Sequence, residues 1–166
     1  MTTPTHICTG YLIAQYVYSV GLISPEMLPA VTTVSILAAN GPDFDVVAIR
    51  KMLNHRKSPL HVPFYWFTAF AVAGLIIKII GNRIAATYLV IIGINVLLHF
   101  LMDSVAVGRG IRWLAPFNQK FFGIIFGKPA ESVKGFMKNF FRYPIVIAEA
   151  LFWVATYLVR LGIWHV

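Results

Sequence analysis

Apolar residues run in blocks along this chain, and polar punctuation divides them into five segments. The first, Pro4 to Ile23, opens with Thr3 as predicted N-cap and Pro4 at the favoured first helical position. A helix of about twenty residues rises about 30 Å, the thickness of a bilayer's hydrocarbon core. The second segment opens on Ser24-Pro25-Glu26 and stops at Asn40-Gly41-Pro42. Its apolar part, Met27 to Ala39, is short for a crossing, and Pro29 either kinks it or delays its start. The third segment runs from about Val62 to Ile80 and the fourth from Ile84 to Val107. The tight Gly81-Asn82 link between them predicts an antiparallel hairpin. The fifth runs from Pro144 to about Ile163.

Residues 129–142 follow a different pattern. Val133, Phe136, Met137, Phe140 and Phe141 share one helical face, and Lys134, Lys138, Asn139 and Arg142 take the rest. Such a helix lies in the headgroup plane. With Phe121, Phe122 and Phe126 before it, an interfacial segment is expected over about 118–143, as an anchor or lid or as a plain basic loop helix. The expected fold is therefore all-α: a polytopic membrane helical bundle of about five hydrophobic helices plus one interfacial amphipathic helix. Residues 1–166 show no internal repeat or linker and read as a single membrane domain.

Composition supports the bilayer. Hydrophobic residues make up 58% of the chain, charged residues 12%, and the mean hydropathy is +0.75. A soluble domain carries about 25% charged residues. The start, MTTPTH, lacks the basic region of a signal peptide, so the first apolar segment is expected to be retained. Cys8 stands alone and excludes an intramolecular disulfide framework.

The net charge of +8 raises nucleic acid as a partner, but no nucleic-acid motif accompanies it, and no nucleic acid is expected. Basic residues gather in cytoplasmic loops of membrane proteins. If all five segments cross, Arg50, Lys51, Arg56, Lys57, Arg109, Arg112, Lys120, Lys128, Lys134, Lys138 and Arg142 share one side. Of 14 Lys and Arg, only Lys78, Arg83 and Arg160 then fall towards the other. This places that face and the N-terminus in the cytoplasm.

The same face collects the ionisable groups that membranes otherwise exclude. Asp43, Asp45 and Asp103 lie there, as do His6, His55, His61 and His99. His99 and Asp103 are one helical turn apart, and Asn95 extends their stripe inward. Alone, the pair reads as a hydrogen bond or as two ligands of one ion. Asp43 and Asp45 read as an Asx turn, or as one ligand and one carboxylate that orients a histidine. His6 and His61 stand at helix N-termini, where the helix dipole favours the neutral, metal-binding imidazole. Together, four chain segments deliver His and Asp to one face, a set suited to Zn²⁺ and also to Mn²⁺ or Fe²⁺, as one ion or two.

The ordered motifs Pro4-Thr5-His6, Gly41-Pro42-Asp43-Phe44-Asp45, His55-Arg56 with His61, His99-x-x-x-Asp103 and Trp113-Leu114-Ala115-Pro116-Phe117 resemble the YdjM-like family. Its members are LexA-regulated inner-membrane proteins, predicted to be metal-dependent hydrolases. The resemblance covers about residues 4–117. It implies a metal site of His6, Asp43, Asp45, His61, His99 and Asp103. The family's distant similarity to zinc-dependent phospholipases C implies phosphoester hydrolysis. Lys57 and Leu60 stand where family members carry Gly and Thr, and the His55–His61 interval is longer than usual, so His55 is left out of the site.

The expected function is metal-dependent hydrolysis of a lipid or lipid-linked phosphoester at the cytoplasmic leaflet. Asp45 or Asp103 would accept the proton of the attacking water, and Arg56 or Arg109 would hold a phosphate. The partners expected are membrane lipid and such a substrate. Glu149 is a further intramembrane acid, read otherwise as a hydrogen bond to a neighbouring helix. Two other functions fit the same residues: a non-catalytic, metal-binding stress-response protein, and an ion or proton pathway.

Overall fold

The computed structural model describes residues 2–45, 55–107, 109–127 and 132–162. Helix α1 (Thr3–Ser19) starts one residue earlier than the sequence suggests, with Thr2 in the extended cap position. The Thr2 side chain makes no cap; instead the Glu149 carboxylate accepts from the Thr2 N–H at 3.2 Å. A 3₁₀ turn, Pro25–Met27, leads into α2 (Leu28–Ala39). Pro29 sits in the first turn of α2, where a missing N–H costs nothing, so it delays the helix and does not kink it.

Helix α3 (Pro63–Ile80) and helix α4 (Arg83–Ser104) form the expected hairpin. Gly81 closes α3 at φ 73°, a left-handed conformation that favours glycine, and the Asn82 side chain caps α4 by accepting from Ala85 N–H. The helix ends at Ser104, short of the expected Val107. Val105–Val107 leaves it as strand β1 and pairs in parallel with β2 (Ile124–Phe126). Gly123, at φ 144°, makes this possible, because a Cβ there would stand 2.1 Å from Ser104 O. An antiparallel bridge between Ile111 and Phe122 completes the ribbon. Phe122 and Phe126 thus take part in backbone pairing, ahead of the amphipathic helix.

Helix α5 (Val133–Arg142), capped by Ser132, is the amphipathic element; residues 128–131, where the sequence would start it, lie outside the described residues. It meets α6 (Ile145–Arg160) at a bend of 79°.

Two apolar clusters hold the bundle. Ala14, Val17, Val31 and Ile91 join α1, α2 and α4, and Val96, Phe100 and Ile111 join α4 to the ribbon. Gly10 lets α1 and α2 touch backbone to backbone, since a Cβ there would lie 2.7 Å from the Cα of Ile36. Helix α3 packs only by its edge: Val72, Leu75, Ile76 and Ile79 all face outward. In water such a face would be untenable, and in lipid it is ordinary. The structure is helical apart from the short ribbon. By length and composition α3 and α4 are each able to cross a membrane, and α5 with α6 adds a third span if that bent pair is counted as one.

Candidate metal centre

Each ligand candidate owes its position to a local feature. The stop after α2 tightens into the 3₁₀ turn Gly41–Asp43, which delivers Asp43 and then Asp45. A second 3₁₀ turn, Pro59–His61, is capped by the Ser58 side chain accepting from Leu60 N–H, and it ends on His61. His99 and Asp103 project from successive turns of α4, and His6 comes from the first turns of α1. Among the described residues, Asp43, His61, His99 and Asp103 each offer one ligand atom within 4.8 Å of all the others.

The distances form a compact set. His61 Nε2 lies 3.3 Å from Asp43 Oδ1 and 4.0 Å from Asp103 Oδ2. His99 Nε2 lies 3.9 Å from Asp43 Oδ1 and 3.8 Å from Asp103 Oδ2. Ligands bound tetrahedrally at about 2.0–2.1 Å stand about 3.3 Å apart, so the His61–Asp43 pair already has that spacing and the three longer pairs would close by about 0.5–0.7 Å to share one ion.

Both ring orientations are fixed by acceptors. His99 Nδ1 donates to Ala39 O at 2.8 Å, using a carbonyl that the end of α2 leaves unpaired. His61 Nδ1 lies 3.0 Å from Asp45 Oδ2 and donates to it. In each case the proton held on Nδ1 turns Nε2 towards the cluster. This is the tautomer metal-binding histidines use, with a carbonyl or carboxylate behind the ring. His99 Nε2 is buried and has no hydrogen-bond partner among the described residues. An orphaned buried nitrogen aimed at two carboxylates calls for a cation or a proton between them.

Charge points the same way. Asp43, Asp45 and Asp103 carry three negative charges, and Arg56, 3.0 Å from Asp103 Oδ2, returns one positive charge. A divalent ion would cancel the remainder, which is otherwise costly at this burial. Without one, His61 takes up part of the load. Burial pushes its pKa down, but hydrogen bonds to Asp43 and Asp45 and the charge of Asp103 outweigh that and hold it above the ordinary histidine value. Burial likewise works to raise the Asp43 carboxyl, yet the hydrogen bond with His61 and the charge of His99 hold it below the usual range.

The remaining sequence candidates fall into place around this set. His6 stacks on His99 with ring centroids 4.0 Å apart, and its Nε2 is 3.4 Å from Asp103 Oδ1, so it flanks the four atoms. Asp45 stands behind His61, on the side away from the cluster. Arg56 is spent inward: beyond Asp103 Oδ2, its Nη1 donates to Asp103 O at 3.2 Å and to Arg109 O. The Arg109 guanidinium lies over Phe121, and its Nη1 is buried with no hydrogen-bond partner among the described residues. The side chain of His55, which opens the turn His55–Lys57, lies outside the described residues.

Sequence reasoning missed Arg112, which donates to Lys57 O at 2.5 Å and to Ser58 O at 3.2 Å and so holds the turn that carries His61. Trp66 donates to Leu60 O on the same turn. Neither has a sequence signature, because both act on backbone carbonyls, Arg112 on two that lie far away in the chain.

The family model for the YdjM inner membrane protein matches residues 1–165. The chain belongs to that family. It is an integral inner-membrane protein, and the apolar helices fit that placement. No curated protein and no solved structure matches the chain. The expected family resemblance thus extends beyond residues 4–117 to nearly the whole length, through the ribbon, α5 and α6.

Proposed function

We propose that this protein is a membrane-bound, metal-dependent hydrolase acting on a lipid or lipid-linked phosphoester at the cytoplasmic face. The observation that carries the reading is the Asp43–His61–His99–Asp103 set, with both histidines turned inward by fixed acceptors. These four residues would hold the ion, preferably Zn²⁺ given two nitrogen and two oxygen donors, with Mn²⁺ or Fe²⁺ as other fits. A bound divalent ion supplies a coordinated water of lowered pKa and polarises a phosphoryl oxygen.

The chain's own groups take the following parts. Asp45 keeps the His61 ring in place, and Arg56 keeps Asp103 turned inward, so both are positioning residues. His6 packs on His99 and guards the ring's orientation. Asp43, the most exposed of the four with 17% of its side chain open, would be the acceptor for a water proton. Arg109 is the better placed of the two arginines to meet a phosphate, because Arg56 is already engaged. The basic bias of the loops, counted with all five segments crossing, supports a cytoplasmic N-terminus; reporter fusions at each loop would test that and count the crossings.

A second reading has its own support. All four ligand side chains are nearly enclosed, at 0–17% exposure, and closed four-ligand sites are the structural type. Metal analysis of detergent-purified protein, beside His99→Ala and Asp43→Ala, separates the possibilities. About one transition metal per chain, lost in both variants, with phosphoester turnover on a lipid panel, is the expected result. Metal without turnover favours the structural role. No metal in the wild type refutes both.

A further inference from the structure

The start of α1 is poorly provided for by its own sequence. The Thr2 side chain makes no cap, and the first turn holds no acidic residue. A helix start carries unpaired N–H groups and the positive end of a dipole, and both favour a carboxylate. Here the carboxylate comes from α6, 147 residues away in the chain. Buried Glu149 accepts on Oε2 from the Thr2 N–H at 3.2 Å, from the Thr2 hydroxyl and, at 2.5 Å, from the Thr5 hydroxyl. One turn further along α6, Trp153 Nε1 donates to Thr5 Oγ1 at 2.9 Å. The Thr5 hydroxyl is thus held at its hydrogen by Glu149 and at its oxygen by Trp153.

The residue after Thr5 is His6, and its ring is secured differently from those of its neighbours. His99 Nδ1 donates to Ala39 O, and His61 Nδ1 donates to Asp45 Oδ2. Neither ring nitrogen of His6 has a hydrogen-bond partner among the described residues. Yet the ring is buried, stacks on His99 with centroids 4.0 Å apart, and brings Nε2 to 3.4 Å from Asp103 Oδ1. With no acceptor to fix it, the ring stands where the backbone of the first turn puts it.

We propose that Glu149 is a positioning residue of the metal centre: a cap for α1, supplied from α6, that holds His6 against His99 and Asp103. It acts through Thr2, Thr5 and the backbone of the first turn. The same contacts make α6 part of the centre's framework, although none of the four ligand atoms comes from it. The consequence for metal affinity rests on the proposed metal-dependent function, whereas the placement of His6 does not.

The test uses the full chain in phosphatidylcholine nanodiscs, stripped of metal. Mass spectrometry reads the modification of each histidine by diethyl pyrocarbonate at neutral pH. His6, His61 and His99 are all buried, so all three should react slowly in the wild type. Glu149→Leu removes the acceptor, and His6 should then react several-fold faster while His61 stays protected. Glu149→Gln keeps an acceptor oxygen and should restore most of the protection. Thr5→Val removes one donor at nearly constant volume; it should give a smaller rise of the same kind, and it decides the matter should Glu149→Leu fail to fold. Unchanged His6 reactivity would overturn the proposal. Equal release of His6 and His61 would do the same, since that is what general loosening of the bundle gives. Zinc competition against a chelating dye is the second readout: Glu149→Leu should bind about tenfold more weakly, with recovery in Glu149→Gln. Release of His6 at unchanged zinc affinity would overturn the assignment to the centre. A wild type that binds no zinc would sink the hydrolase reading and leave the His6 labelling to decide this one.

Discussion

Asp45→Asn tests whether Asp45 orients a ligand or is one itself. The wild-type carboxylate accepts from His61 Nδ1 at 3.0 Å, and the residue is 1% exposed, so solvent does not screen the loss. Asparagine keeps the shape but removes a charge, and a hydrogen bond to a charged group is worth about 1.5–3 kcal/mol. Each 1.4 kcal/mol is about tenfold in affinity, which brings the expected weakening of metal binding to about 10–100-fold. Loss of an outer-shell partner behind a ligating histidine has effects of that size. The variant also leaves the centre with one negative charge fewer, which lowers attraction for a divalent ion in the same direction. The assay is competition against a zinc-chelating dye in detergent, with Asp43→Ala measured in parallel. Asp43→Ala removes a direct ligand and should weaken binding well beyond Asp45→Asn. An unchanged affinity for Asp45→Asn, or a loss equal to that of Asp43→Ala, would refute the assignment.

Three more outcomes follow from the same geometry. Arg56→Met leaves the buried Asp103 carboxylate without its guanidinium, a change that costs about 3–5 kcal/mol in comparable pairs, and thermal unfolding of the metal-free protein should show it, with partial recovery in Arg56→Met/Asp103→Asn. Gly10→Leu forces α1 away from the backbone of α2 at Ile36; a cost of about 1–3 kcal/mol and a loss of metal affinity through displaced His6 are expected, read by unfolding and by dye competition. The pH dependence has a definite sign. His61 has a raised pKa, so its contribution to the metal-free fold is complete below about 6.5, the unfolded value, and is lost as pH rises through the folded value. Chelator-treated protein should therefore lose thermal stability across that window, while metal affinity rises over it as the competing proton leaves, with proton release on metal addition measured by an indicator dye. A metal-free protein that gains stability over the same window would contradict the assignment.

Sequence alone was enough to place this chain in a membrane, because 58% hydrophobic residues and long uncharged runs leave no soluble surface to build. The hairpin at Gly81-Asn82 was legible because local backbone chemistry decides it, whatever packs nearby, whereas at Pro29 the sequence left a kink and a delayed start open. The His99–Asp103 spacing and the Gly-Pro-Asp-Phe-Asp stretch pointed to residues that the fold gathers into a cluster able to hold a metal. Their division of labour was not legible. Asp43 and Asp45 are alike in sequence, and only the fold puts the first against His61 Nε2, inside the set, and the second against Nδ1, behind the ring. Arg56 looked free to hold a phosphate until Asp103 and the Arg109 carbonyl arrived to occupy it. The end of α4 was misplaced by three residues because Val105–Val107 is apolar enough to continue a helix, and its strand partner lies at Ile124–Phe126. Glu149 reads in sequence as one acid in an apolar helix. Tertiary structure ties one of its oxygens to the start of α1 and buries the other without a hydrogen-bond partner among the described residues. Local periodicity and composition fix what each residue can do; which partner it meets depends on contacts between residues far apart in the chain.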